Sequence, residues 1–93
     1  MPIETREFDI QNYLKTPEER AAYIEAALEE NDPAFLAKAL GDVARAQGMT
    51  QVAKDAGVTR EALYRALSEK GDPRLSTFMG VLHSLGLKMR IAA

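Results

Sequence analysis

The stretch MTQVAKDAGVTREALYRALS, residues Met49–Ser68, decides the fold of this chain of 93 residues. Gly57 can take a positive φ angle without steric cost, so its position predicts a tight turn between two short helices. Thr59 follows as an N-cap candidate, because its hydroxyl can accept a hydrogen bond from an early backbone N–H of the second helix. The stretch is therefore predicted to be two crossing helices joined at Gly57.

The two predicted helices separate apolar from polar side chains. Ala53 is small where the helices must cross closely, and the shared inner side carries Val52, Ala56, Val58, Leu63 and Ala66. The open face of the second helix carries Arg60, Glu61, Tyr64 and Arg65. A polar, cation-bearing helix on a small-residue scaffold is typical of the helix-turn-helix, whose second helix enters the DNA major groove. The alternative is an ordinary αα-hairpin with a solvated face.

The polar face has side chains suited to DNA. Arg60 can bind a guanine edge through two hydrogen bonds, and Glu61 can accept from cytosine or orient a neighbouring arginine. The hydroxyls of Thr59 and Tyr64 suit phosphate oxygens, whereas Arg65 can reach either base or backbone. These five residues form the centre of the predicted site.

Further cations follow the second helix. Lys70 and Arg74 flank the start of the next helix, where the Ser76 hydroxyl and free N–H groups favour an anion. Each of these residues can also be ordinary solvated surface. We predict that they contact the DNA backbone.

Three more helices are marked by their ends. Thr16-Pro17-Glu18-Glu19 is a capping box that starts a helix reaching Glu30, and Asp32-Pro33 starts the next, which Gly48 ends. After a loop with Gly71 and Pro73, a fifth helix is predicted from Leu75 or Ser76 to Leu85. Its expected inward residues are Leu75, Phe78, Met79, Leu82 and Leu85, and Phe35 is expected in the core.

The two ends of the chain carry apolar residues. Asp9 is predicted to cap a short helical turn at Ile10–Leu14. The alternation of Leu87, Met89 and Ile91 with Lys88 and Arg90 predicts a β-strand. A second copy of the chain would satisfy that strand's edge and form a homodimer through the three apolar residues, unless the strand pairs with the arm near Ile3–Glu7. The predicted organisation is an arm at 1–15, a helical domain at 16–86 with the helix-turn-helix at 49–68, and a strand at 87–93.

Composition limits the function classes. The chain has no cysteine and a single histidine, His83, and no catalytic motif is present, so we expect no enzyme activity, metal or cofactor. The absence of a long apolar run predicts a cytoplasmic protein without membrane contact.

The net charge of −2 is unevenly spread along the chain. Residues 1–47 hold ten acidic and five basic residues, and residues 48–93 hold four acidic and seven basic residues. This asymmetry indicates DNA for the second half and a basic partner for the first, the alternative being a merely solvated acidic helix.

The motif GVTREALYRAL resembles the lambda-repressor-like (Xre) helix-turn-helix family. The resemblance adds Gln51 as a phosphate contact, although Gln51 lies closer to Ala53 than its counterpart in that family. From Phe8 to Ile91 the chain looks like the small addiction-module antidote family of that superfamily, in particular in ALGDVARAQGMTQ and in ALYRALS-x-x-G-x-P. This likeness to HigA-type antitoxins implies neutralisation of a small basic RelE/ParE-like toxin and repression of the shared operon.

We therefore expect an all-α, five-helix lambda-repressor-like domain with a short C-terminal β-strand that pairs in a homodimer. Its expected function is that of a type II antitoxin that binds double-stranded operator DNA. A stand-alone repressor without a toxin partner is one alternative. A helical protein-interaction module that binds no nucleic acid is the other.

Overall fold

The computed structural model describes residues 14–93, and they form five helices joined by short connections. We number them α1 (Pro17–Glu29), α2 (Pro33–Gln47), α3 (Met49–Ala56), α4 (Arg60–Ala66) and α5 (Leu75–Ser84). The predicted all-α class is confirmed. The predicted helical turn at Ile10–Leu14 lies outside the described residues except for Leu14. None of the helices in residues 14–93 is long and apolar enough to cross a membrane.

α1 and α2 begin at the predicted capping residues. The Thr16 hydroxyl accepts a hydrogen bond from the Glu19 N–H at 3.1 Å, and the Glu19 carboxylate accepts one from the Thr16 N–H at 3.1 Å. The Asp32 carboxylate accepts from the Ala34 N–H at 3.0 Å. Each cap satisfies backbone donors that have no partner within the helix. The capping residues therefore set where α1 and α2 begin.

The turn between α3 and α4 is built around Gly57. This glycine has φ 75° and ψ 29°, which is the left-handed conformation predicted for it. The Val58 N–H then donates to the Ala53 carbonyl at 3.0 Å, which closes the end of α3. Because a residue with a Cβ is disfavoured at this φ, glycine fixes the direction in which α4 leaves.

The core lies between α3, α5 and the inner sides of the other helices. Its most deeply buried side chains are Leu14, Leu40, Val43, Val52, Leu63, Leu67 and Val81. The most extensive packing in the described chain is between α3 and α5. Gly80 permits this packing, since a Cβ placed there would lie 2.8 Å from the Ala56 Cα. The two helices consequently approach each other almost backbone to backbone.

Three residues predicted to be buried are exposed. Leu75 is 72% and Met79 is 60% exposed on α5, and Phe35 is 47% exposed on α2. α5 buries Thr77, Val81 and Leu82. At about 100° per residue, Met79 lies about 200° around the helix from Thr77 and Val81, and about 60° from Leu82 on the side away from them. The apolar residues of α5 span more of its circumference than the core can contact, so Leu75 and Met79 remain outside.

The predicted C-terminal strand is wrong for this structure. Residues 87–93 are irregular, and residues 14–93 contain no strand with which they could pair. Without a ladder of hydrogen bonds the backbone is not held in a pleat, so successive side chains need not alternate between two faces. Lys88, Met89 and Arg90 accordingly line one groove together, and Leu87 packs against the core.

Replacement of Gly80 by valine should destabilise the fold by about 1–3 kcal/mol, because the added side chain overlaps the backbone of α3 at Ala56. Thermal or urea unfolding followed by circular dichroism measures this change. His83→Val is the matched control, since it introduces the same residue three positions away on the exposed side of α5. We expect it to change the free energy of unfolding by less than about 0.5 kcal/mol. Equal melting of the two variants would contradict the close α3–α5 approach.

Candidate nucleic-acid interface

α4 presents its polar side chains to solvent. The Thr59 hydroxyl accepts from the Ala62 N–H at 3.0 Å and so starts the helix. Leu63 is completely buried, whereas all four predicted DNA-facing side chains of the helix are exposed: Arg60, Glu61, Tyr64 and Arg65. The division of α4 into a buried and a polar side is therefore confirmed.

Arg60 and Tyr64 lie one turn apart and contact each other. The Arg60 guanidinium donates to the Tyr64 hydroxyl at a long 3.4 Å. Its central carbon also lies 5.4 Å from the centre of the Tyr64 ring, within the range of a cation–π interaction. The structure thus brings two of the predicted site residues together, and the ring restricts the volume open to the Arg60 side chain.

Arg45 reaches the same ring from α2. Its guanidinium carbon lies 5.8 Å from the Tyr64 ring centre, and its Nη1 donates to Asp42 Oδ1 at 3.3 Å. Arg45 was not among the predicted site residues. The spacing of three residues between Asp42 and Arg45 is a signal for an ion pair on a helix, but the contact with Tyr64 depends on how α2 and α4 pack.

Asp42 is one of the few buried polar residues of the described chain, being 7% exposed. Its Oδ2 accepts from the Tyr23 hydroxyl at 2.7 Å and lies 3.7 Å from the Lys38 ammonium. Burial, the hydrogen bond to Asp42 and the negative charge of Asp42 together raise the pKa of Tyr23 to about 12. A buried carboxylate needs such partners, because an unpaired one is strongly destabilising. Asp42 therefore joins α1 to Arg45 and, through it, to α4.

Gln51 lies on the exposed side of α3, and its amide group is already hydrogen bonded within the chain. The Gln51 amide donates to Asp55 at 2.9 Å, and the Ser84 hydroxyl donates to the same carboxylate at 2.7 Å. These bonds, that from Ser84 first, lower the pKa of Asp55. The Gln51 amide is therefore engaged by Asp55 of its own helix, which in turn accepts from Ser84 of α5.

The cations that follow α4 occupy two separate depressions. One, of about 500 Å³, is lined by Lys38, Asp42, Arg45, Leu67, Ser68, Glu69 and Lys70. The other, of about 380 Å³, adjoins the α3–α4 turn and is lined by residues that include Gly57, Arg74 and Ser76. The structure therefore places Lys70 beside α2 and the Arg74–Ser76 pair beside the turn, although all three are exposed as predicted.

A second surface lies on α1. Among the described residues, α1 and its C-cap carry four exposed acidic side chains: Glu18, Glu25, Glu29 and Glu30. A groove of about 190 Å³ separates α1 from the C-terminal residues and is lined by Ala21, Ile24, Glu25, Leu28, Leu82 and residues 87–90. The α1 side of this groove, which we call the α1 surface, therefore combines negative charge with apolar side chains, of which Leu28 is 44% exposed, whereas the opposite side carries Lys88 and Arg90.

Comparison with known proteins gives the chain a family. A family model described as "Probable addiction module antidote protein" matches residues 4–93. A protein of Haemophilus influenzae (strain ATCC 51907 / DSM 11121 / KW20 / Rd), described only as "Uncharacterized protein", is 40% identical over 91 residues, which covers 98% of this chain and 94% of that protein. No solved structure matches the chain. With nearly its whole length matched, the chain belongs to the family of probable addiction module antidote proteins.

Proposed function

We propose that this chain is the antitoxin of a type II toxin–antitoxin module and that it binds operator DNA through a helix-turn-helix formed by α3 and α4. In this proposal it represses its own operon and neutralises a small basic RelE/ParE-like toxin. Membership in an antidote family implies a toxin partner in general. The observation that carries the DNA-binding part is the exposed polar face of α4 opposite the buried Leu63.

In the proposed complex α4 lies in the major groove. Arg60 binds a guanine edge, Glu61 accepts from a cytosine amine, and Arg65 contacts base or backbone. The hydroxyl of Thr59 donates to a phosphate while its oxygen continues to cap α4. The backbone of the DNA passes over the flanking residues Lys70, Arg74 and Ser76. Gln51 joins them by exchanging one of its amide hydrogen bonds from Asp55 to a phosphate.

The fit has a geometric basis. α4 is seven residues long, so its exposed face is about 10 Å in length, and the major groove admits a helix of this kind. Lys70 and Arg74 line different depressions, one beside α2 and the other beside the α3–α4 turn. Two separated cations can contact phosphates on two sides of the groove, whereas a single cluster would contact one.

Arg60→Ala should weaken binding to a preferred DNA sequence by about 1–3 kcal/mol and relax the preference at one base position, because a contact with two hydrogen bonds to a base is lost. Lys70→Ala should weaken binding evenly across sequences and lower the slope of log K against log salt by about one, because one phosphate contact is lost. Gel-shift titrations at several salt concentrations measure both effects.

Unchanged sequence preference in Arg60→Ala would contradict the placement of α4 in the groove. Absence of any salt-sensitive binding by the wild-type chain would favour a helical protein-interaction module instead. The preferred duplex is obtained beforehand by selection from a randomised pool with the wild-type chain.

We place the toxin on the α1 surface. Glu25 and Glu29 are exposed one turn apart on α1. Within the described residues, neither carboxylate has an ion-pair partner closer than 4 Å. A basic protein therefore meets negative charge without having to break an internal ion pair. The groove beside Glu25 and Leu28 adds apolar surface that is buried when the toxin binds.

The charge-reversal variant Glu25→Lys/Glu29→Lys should bind the toxin at least about tenfold more weakly, because like charges then face each other across the interface. The probe is the small basic protein expected from the adjacent reading frame, and the measurement is calorimetry together with growth rescue in cells that express it. Glu69→Lys/Asp72→Lys is the matched control, since it changes the net charge by the same amount at two exposed residues that lie outside the α1 surface. Equal loss in the control would show that only net charge matters. A neighbouring frame without such a protein would favour a stand-alone repressor.

A homodimer completes the proposal, because one helix-turn-helix reads only half of a two-fold site. Met89 is 51% and Ile91 is 96% exposed, so both predicted contacts remain available, whereas Leu87 is partly withdrawn into the core. Leu75 and Met79 present a further apolar surface on α5. Side chains held on a helix lose less conformational freedom on association than those of an irregular segment. We therefore give α5 the larger share of the dimer contact.

The variant Leu75→Glu/Met79→Glu should be mostly monomeric at micromolar concentration, because it places charge on that apolar surface. Deletion of residues 88–93 should weaken the dimer less and leaves Leu87 in place. Analytical ultracentrifugation of each variant measures the effect. Phe35→Glu is the control, because Phe35 is comparably exposed on α2. A dimer that survives both changes would contradict this assignment.

A further inference from the structure

Arg45 connects the interior of the protein with the polar face of α4. Its guanidinium donates to the buried carboxylate of Asp42 and lies 5.8 Å from the ring of the exposed Tyr64. The same ring holds Arg60 at 5.4 Å. Two guanidinium groups from different helices therefore contact one aromatic ring. Of the two, Arg45 also donates a hydrogen bond to a buried residue, Asp42.

Asp42 is fixed in place more firmly than an exposed carboxylate. Its side chain is about 10% exposed and has three partners, the Tyr23 hydroxyl, the Lys38 ammonium and Arg45. The Tyr23 bond, at 2.7 Å, is the shortest of these and comes from another helix, α1. Because Asp42 cannot turn away without losing buried hydrogen bonds, Arg45 is held by an anchored partner.

The helix that carries Asp42 is itself packed closely against the end of α4. A Cβ placed at Gly41 would lie 2.5 Å from the carbonyl oxygen of Leu67, the residue that ends α4. This contact leaves little room for α2 to slide along α4. The packing of α2 against the end of α4 therefore sets the distance between Asp42 and Tyr64, the two residues that Arg45 contacts.

We infer that Arg45 is a positioning residue that, held by Asp42, fixes the Tyr64 ring and through it the base-reading side chain of Arg60. This inference rests on the proposed DNA binding and adds a specificity role for a residue outside the helix-turn-helix. Arg60 stands on an exposed helix, and ordering its long side chain on binding costs conformational entropy. A ring held on one side by Arg45 reduces the arrangements open to Arg60 before DNA arrives. This ordering of Arg60 should improve discrimination between DNA sequences rather than overall affinity, because it does not change the number of charges that face the DNA.

The test compares two duplexes: one selected by the wild-type chain from a randomised pool, and a scrambled duplex of the same composition. Arg45→Lys keeps the positive charge but removes the planar guanidinium. We expect the ratio of the two affinities to fall roughly two- to fivefold, the range of a single exposed cation–π contact, while affinity for the scrambled duplex and its salt slope stay unchanged. Unchanged thermal melting confirms that the variant is folded.

Two further variants test whether Asp42 acts by positioning Arg45 or only through its negative charge. Lys38→Arg is the matched control, because it exchanges the other cation that pairs with Asp42, and its ratio should remain that of the wild type. Asp42→Asn removes a negative charge while retaining the shape of the side chain. If Asp42 acted through charge alone, both affinities would rise equally. We expect the ratio to fall instead, because Arg45 loses its charged anchor.

The outcomes are distinguishable. An Arg45→Lys protein that is folded and discriminates between the duplexes like the wild type would overturn the role of Arg45 and leave the proposed DNA binding intact. Equal loss on both duplexes would also overturn it, since Arg45 would then be a simple phosphate contact. If the wild-type chain enriches no sequence from the pool, the proposed DNA binding is wrong and the role of Arg45 falls with it.

Discussion

α4 has only seven residues, and a helix of that length does not hold its shape in water by itself. Its geometry depends on the burial of Leu63 within the helix and of Leu67 at its end, together with the hydroxyl cap at Thr59. Both leucines insert into a core whose frame is the close packing of α3 on α5. The direction of α4 is in turn fixed by the left-handed conformation of Gly57. The polar face is therefore a consequence of the core, and the site cannot form unless the rest of the chain has folded.

Much of this fold is predictable because its signals are local. Caps such as Thr16 and Asp32 act within three residues of their own position, and a glycine at a helix end acts through its own φ angle. The error on α5 has a different origin. Apolar spacing shows that Leu75, Met79 and Leu82 belong to a helix, but the arc that is buried depends on what packs against it. The C-terminal strand failed for the same reason, since a strand requires a partner that the pattern of residues 87–91 cannot specify.

The candidate site shows the same limit. The exposed residues of α4 follow from the helical period and from the position of Gly57, so Arg60, Tyr64 and Arg65 were predictable. Arg45 was not, because its contact with Tyr64 joins positions that lie far apart in the sequence and on different helices. Nor does the sequence show that Lys70 and Arg74, only four residues apart, lie in different depressions. Residue type and spacing predict a polar, cation-bearing face, and packing decides which side chains meet there.

The division of α4 between one buried side chain, Leu63, and an exposed polar face has an evolutionary consequence. Glu61 and Arg65 contribute little to the core, and exchanges at such exposed positions usually change stability by less than about 0.5 kcal/mol. Related chains can therefore acquire new ligand preferences at these two positions without compensating changes elsewhere. Tyr64 is different, because it contacts both Arg45 and Arg60. A change of that ring affects two helices at once, so we expect divergence to proceed around Tyr64 and to alter it only together with its arginines.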